Sequence, residues 1–170
     1  MMGRAWTAGL ALAAVVVWVG APGEEAAAVG PADVIGIYDV RLSGDAFERD
    51  ADSGRVAEER VRGRALCQIS AAPGDPRLLT VEVRLAPALD GGLFDRTNPT
   101  PALRGTGVLV GDSLTVIGAG QANYVNALTL RFLRRGRKVS GSWIASFPGS
   151  DTRSGYVAGA GVSLRGKRRR

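Results

Sequence analysis

The sequence contains no histidine, a single cysteine at Cys67, and aromatic residues at only 6 % of positions. Without histidine there is no Ser-His-Asp or Cys-His nucleophile system, no common general base and no ordinary haem ligation. A lone thiol with no histidine cannot form an intramolecular disulfide or a zinc site of the usual Cys/His kind. Catalysis would have to run on carboxylates, tyrosine, arginine or lysine. The absence of histidine thus weighs against an enzyme without closing that reading, and no cofactor and no metal are expected. Stability has to come from packing, and a chain of 170 residues is long enough for one domain that does this without staples.

Long hydrophobic runs are also scarce, with one exception at the start of the chain. After a short basic beginning, Ala5 to Ala21 form an uninterrupted small-apolar run that ends at Pro22-Gly23-Glu24-Glu25. That is the layout of a secretory signal. The expected organisation is a signal peptide over 1–23, a linker over 24–33, a β-barrel domain over 34–166 and a basic tail over 167–170. Export to a periplasmic or extracellular location follows. The alternative is a membrane anchor through residues 5–21, although the many Ala and Gly residues make the run weakly hydrophobic for that role.

Charge is unevenly spread. Residues 24 to 95 carry fourteen acidic and eight basic side chains, whereas residues 96 to 170 carry thirteen basic and two acidic. A basic second half points to a surface for anionic partners, or to attraction between the halves if the fold pairs them. Arg134, Arg135, Arg137 and Lys138 form one cluster and Lys167 to Arg170 another. An anionic envelope surface is the expected partner of these cations. Nucleic acid is not expected, because no aromatic stacking pattern accompanies them, and a membrane is expected only if the leader is uncleaved.

Beyond the leader the pattern is period two. In Leu79-Thr80-Val81-Glu82-Val83-Arg84-Leu85 every odd position is aliphatic and every even one polar, as in a half-buried antiparallel strand. Tyr38, Val40 and Leu42 share one face against Asp39, Arg41 and Ser43; Val61, Ala65, Cys67 and Ile69 share another against Arg62, Arg64 and Gln68. Similar alternation runs through 128–132, 139–147 and 156–164. Gly111-Asp112 and Arg134-Arg135-Gly136-Arg137 read as hairpin turns. The total is about eight strands, an all-β, antiparallel up-and-down barrel following an N-terminal signal helix.

The order of an export signal, an opening Gly36-Ile37-Tyr38-Asp39-Val40, a late Lys138-Val139-Ser140-Gly141-Ser142-Trp143 and an eight-strand meander is similar to lipocalin- and avidin-like barrels of the calycin type. Tyr38 stands where the opening Gly-x-Trp of that type has Trp. The resemblance implies a barrel that holds a small apolar or amphipathic molecule. Tyr38, Phe132, Trp143, Phe147 and Tyr156 all fall on the apolar face and are the expected pocket walls. Asn123 and Tyr124, in a polar loop over 121–126, are the expected rim. The alternative is an envelope structural or interaction protein with a solid core, in which those rings are simply filling.

Three other motifs carry less. Gly111-Asp112-Ser113-Leu114 spells an esterase nucleophile block, yet it sits in a hairpin turn of a chain without histidine. Glu48, Asp50, Asp52 and Glu59 have the offsets of a calcium loop, but Ser53 occupies the position that needs Gly, so a solvated acidic loop is expected. Asp95, in the long segment 86–104, is the one acid an enzyme reading would test first.

Overall fold

The computed structural model describes residues 29–49, 53–86, 102–120, 125–147 and 157–170. Eight strands follow a single helical turn, α1 (Pro31–Val34): β1 (Gly36–Arg49), β2 (Val56–Ala72), β3 (Asp75–Leu85), β4 (Leu103–Val110), β5 (Ser113–Gly120), β6 (Val125–Leu133), β7 (Lys138–Phe147) and β8 (Val157–Arg168). Each strand pairs antiparallel with the next, and β8 returns to β1, so the sheet closes into an up-and-down barrel. Closure gives every strand a neighbour on both sides, although residues 56–63 of β2 pair with β1 alone among the described residues. The expected signal helix and leader lie outside the described residues. Among the described residues no helix is long and apolar enough to cross a membrane.

The alternation translates directly into an inside and an outside. Tyr38, Val40, Leu42, Cys67, Val81, Leu128, Leu130, Trp143 and Leu164 are among the side chains buried in one continuous core. Asp39, Arg41, Arg62, Arg64 and Arg84, one position away, are exposed. At the hairpin of β4 and β5, Gly111 takes φ 61, a positive value at the first loop position that glycine adopts without penalty.

One end of the barrel is closed by α1. Its Val34 is fully buried in the core, and the Tyr38 hydroxyl donates 2.8 Å to the Val34 carbonyl oxygen. The turn between β6 and β7 leans on the same helix at Gly136, where a Cβ would stand 2.1 Å from the Asp33 carbonyl oxygen, so glycine is required by contact. Arg168 Nη1 also donates to that oxygen, at 3.0 Å.

Several boundaries differ from the sequence expectation. β1 runs on to Arg49 and β2 starts at Val56, so Glu48 and Glu59 belong to paired strands and not to an acidic loop. β8 extends to Arg168, which places Lys167 and Arg168 in the sheet and not in a tail. The reason is pairing: Lys167 lies opposite Asp39 and Lys138, and Arg168 opposite Tyr38. Residues 31–34 of the expected linker form α1.

Candidate functional site

Three of the five expected pocket walls are core. Tyr38 and Trp143 are 0 % exposed and Phe132 is 1 % exposed. The Tyr38 and Phe132 rings pack at 6.0 Å between centroids, tilted by 57°, an edge-to-face style contact. Phe147 is in β7, but its side chain, like all of Tyr156, Asn123 and Tyr124, lies outside what is described; so does Asp95.

The rim loop also changes character, because β6 begins at Val125 and so takes two residues from it. Asn126, which the sequence reading leaves in that loop, is 0 % exposed inside the barrel, where its Oδ1 accepts 2.7 Å from Trp143 Nε1. A buried indole N–H and a buried amide thereby satisfy one another. The signal was present: Asn126 continues the inward series Leu128, Leu130, Phe132 by one more step of two.

Burial also silences the inward titratable groups. It pushes the Cys67 thiol up to about 12. It pushes Tyr38 up to about 12 as well, against a lowering by Arg168. Ser113 donates to Asp112 Oδ1 at 3.1 Å, and Asp112 itself is held below its ordinary value chiefly by the Arg131 guanidinium. A carboxylate whose basicity is lowered by a bound arginine is a poor base for the hydroxyl beside it, in keeping with turn chemistry at the esterase-like block.

The outer wall is different. A groove of about 1350 Å³ runs over β1, β2, β7 and β8; the side chains along it include Arg41, Arg64, Lys138, Arg165, Lys167, Arg168 and Arg169, against the single carboxylate of Asp39. Leu66, Leu85 and Leu133 add apolar floor. Asp39 is bound bidentately by Arg169, at 2.8 and 2.9 Å. That hydrogen bonding holds its carboxyl below the ordinary value, with Arg64 contributing. The one negative charge in the groove is thus already matched.

Register explains the concentration of cations. Arg64 lies directly opposite Arg41, and Arg41 directly opposite Arg165. Three arginines on adjacent strands therefore form a row, spanning roughly 10 Å from the first to the third at about 4.8 Å per strand. All three are exposed, and among the described residues none stands in an ion pair. Like charges directly opposite one another destabilise a sheet.

Of the expected anion-binding residues, Lys138 lines this groove. Arg134, Arg135 and Arg137 are exposed in the adjoining turn, where Arg134 and Arg135 both take φ 53, unusual for residues other than glycine. Arg41, Arg64 and Arg165 are absent from the sequence-level site. Period two places the first two on an outward face, but nothing local brings β8 beside β1.

Among the described residues no group of three or more His, Cys, Asp or Glu is placed to hold a metal ion. No family model and no curated protein matches the chain. Among solved structures, a mutant of the vaccine antigen Transferrin Binding Protein B from Haemophilus parasuis Hp5 is similar, with a TM-score of 0.42 and 11 % identity over 84 % of this chain and 29 % of that one. The chain thus spans less than a third of that protein's length. At such a score function has to be argued from this chain's own residues.

Proposed function

We propose that this protein is an exported, non-enzymatic β-barrel with a packed core, whose outer wall over β1, β2, β7 and β8 binds an anionic partner. The supporting observation is the row Arg64–Arg41–Arg165, three exposed guanidiniums in direct cross-strand register without ion pairs among the described residues. Such a row costs stability in isolation, and an anion removes that cost on binding. Guanidinium forks suit carboxylate, phosphate and sulfate alike. The buried rings favour this reading over an interior ligand, since Tyr38, Phe132 and Trp143 present no surface to a cavity. Export rests on the leader pattern of residues 1–23.

The test is binding of the purified protein to dextran sulfate, with uncharged dextran as control, measured by calorimetry at rising salt. Binding to the charged polymer alone, weakening with salt and lost on replacing Arg41, Arg64 and Arg165 together by Gln, is the expected result. Equal affinity for both polymers, or none for either, refutes the proposal.

A further inference from the structure

Immediately beside the arginine row, displaced by two residues along each strand, lies a row of small hydroxyls. Thr115 pairs with Thr129, Thr129 with Ser142, Ser142 with Ser163, Ser163 with Ser43, and Ser43 with Arg62. Five strands in succession thus carry a hydroxyl at the same level of the outer wall, and all five residues are exposed. Ser163 donates 2.8 Å to the Ser43 carbonyl oxygen. Of these five hydroxyls, only that of Ser163 donates a hydrogen bond among the described residues.

On the far side of this row, again two residues along, Ile117 pairs with Ala127, Ala127 with Ile144 and Ile144 with Gly161. Ile117 is 71 % and Ile144 59 % exposed, large apolar side chains that the core does not use. Short hydroxyl side chains therefore form a continuous low row across five strands of the outer wall. Arginines flank it on one side over β8, β1 and β2, and isoleucines flank it on the other over β5 and β7, that second flank ending at Asp45 on β1, opposite Gly161. The row runs across the strands, and successive rows are roughly 7 Å apart at about 3.4 Å per residue.

We infer that the anionic partner is a linear, negatively charged polysaccharide lying along this row across the strands; this rests on the anion-binding reading above. Each part of such a chain meets a matching part of the wall. Its fixed charges face Arg165, Arg41 and Arg64, its hydroxyls face Thr129, Ser142 and Ser43, and the C–H faces of its rings pack on Ile117 and Ile144. A flat anionic membrane would rest on the long arginine heads and meet the shorter hydroxyl side chains less fully than an extended chain one sugar wide lying along them. A single-stranded nucleic acid would call for aromatic platforms, and the three rows contain none.

Calorimetry with a linear oligogalacturonate, with polyglutamate of matched charge and with phosphatidylglycerol vesicles separates the cases. The oligogalacturonate is expected to bind more tightly than polyglutamate. Thr129→Val with Ser142→Ala should weaken it about tenfold, the equivalent of one or two lost hydrogen bonds, and leave polyglutamate unchanged. Ile117→Ser with Ile144→Ser should likewise weaken the sugar polymer alone. All four positions are on the surface, so thermal unfolding of each variant close to the parent shows that the fold is kept. Equal affinity for both polymers, indifferent to these variants, or binding to vesicles without binding to oligogalacturonate, overturns the inference and leaves the anion-binding reading standing. Failure to bind any of the three, and dextran sulfate as well, removes both.

Discussion

The inside and the outside of the same eight strands obey different rules. Inside, side chains are interchangeable in kind: Val, Leu and Ile fill the barrel, with Trp143, Tyr38 and Phe132 as its largest fully buried pieces. Outside, side chains one step away are sorted by row, with arginines beside hydroxyls and hydroxyls beside isoleucines. A core needs only volume and apolarity to be stable, so it tolerates shuffling among aliphatics. A stable fold does not require a sorted outer wall, and three arginines in register work against it. The interior therefore accounts for the fold, and the sorted exterior is what the proposed binding would use.

The strongest way to break this contrast is to charge the interior. Tyr38 and Cys67 are both held neutral by burial, each up to about 12. Acids whose values are raised by folding stabilise the native state fully below their ordinary values and lose that contribution as pH rises towards the raised ones. Alkaline titration should thus destabilise the barrel from about pH 9 to 12, by about 4 kcal/mol through Cys67 and about 3 kcal/mol through Tyr38. Chemical denaturation at stepped pH reads this directly, and Cys67→Ala should remove the earlier part of the loss.

Next in size is the core itself. Trp143→Ala removes the largest fully buried side chain and should cost ~4 kcal/mol, read as a fall in the denaturation midpoint. Asn126→Leu should cost about 2 kcal/mol, because it strands the buried Trp143 N–H without its acceptor. The outer wall should respond in the opposite direction and weakly. Arg41→Thr relieves repulsion on both sides and substitutes a good strand former, so thermal unfolding should rise slightly, by less than about 1 kcal/mol, while dextran sulfate binding falls. A variant that lost both stability and binding would erase the distinction between the two surfaces.

The interior was largely legible from the sequence and the site was not, for one physical reason. Alternation is local, so Leu79-Thr80-Val81-Glu82-Val83 declares its two faces without any knowledge of neighbours. Asn126 escaped only because its polarity masked its place in the series ending at Phe132. Rows on the outer wall depend on register between strands, and Arg41 meets Arg165 across more than a hundred residues of chain through the closing pair of β1 and β8. The cluster 134–138 was legible because it is contiguous in sequence, whereas Arg64, Arg41 and Arg165 become a cluster only when the barrel closes. The charge asymmetry between the halves was a partial sign of this, since β7 and β8 bring the basic second half against β1.

The most direct test of the account is an amide NMR titration of the protein with tripolyphosphate, a small anion that reports where charge binds. The account predicts shifts concentrated at Arg41, Arg64, Arg165 and their paired neighbours on β1, β2, β7 and β8, with interior positions such as Leu130 unmoved. Shifts spread evenly over exposed cations, or centred on the 134–137 turn with the arginine row silent, would contradict it.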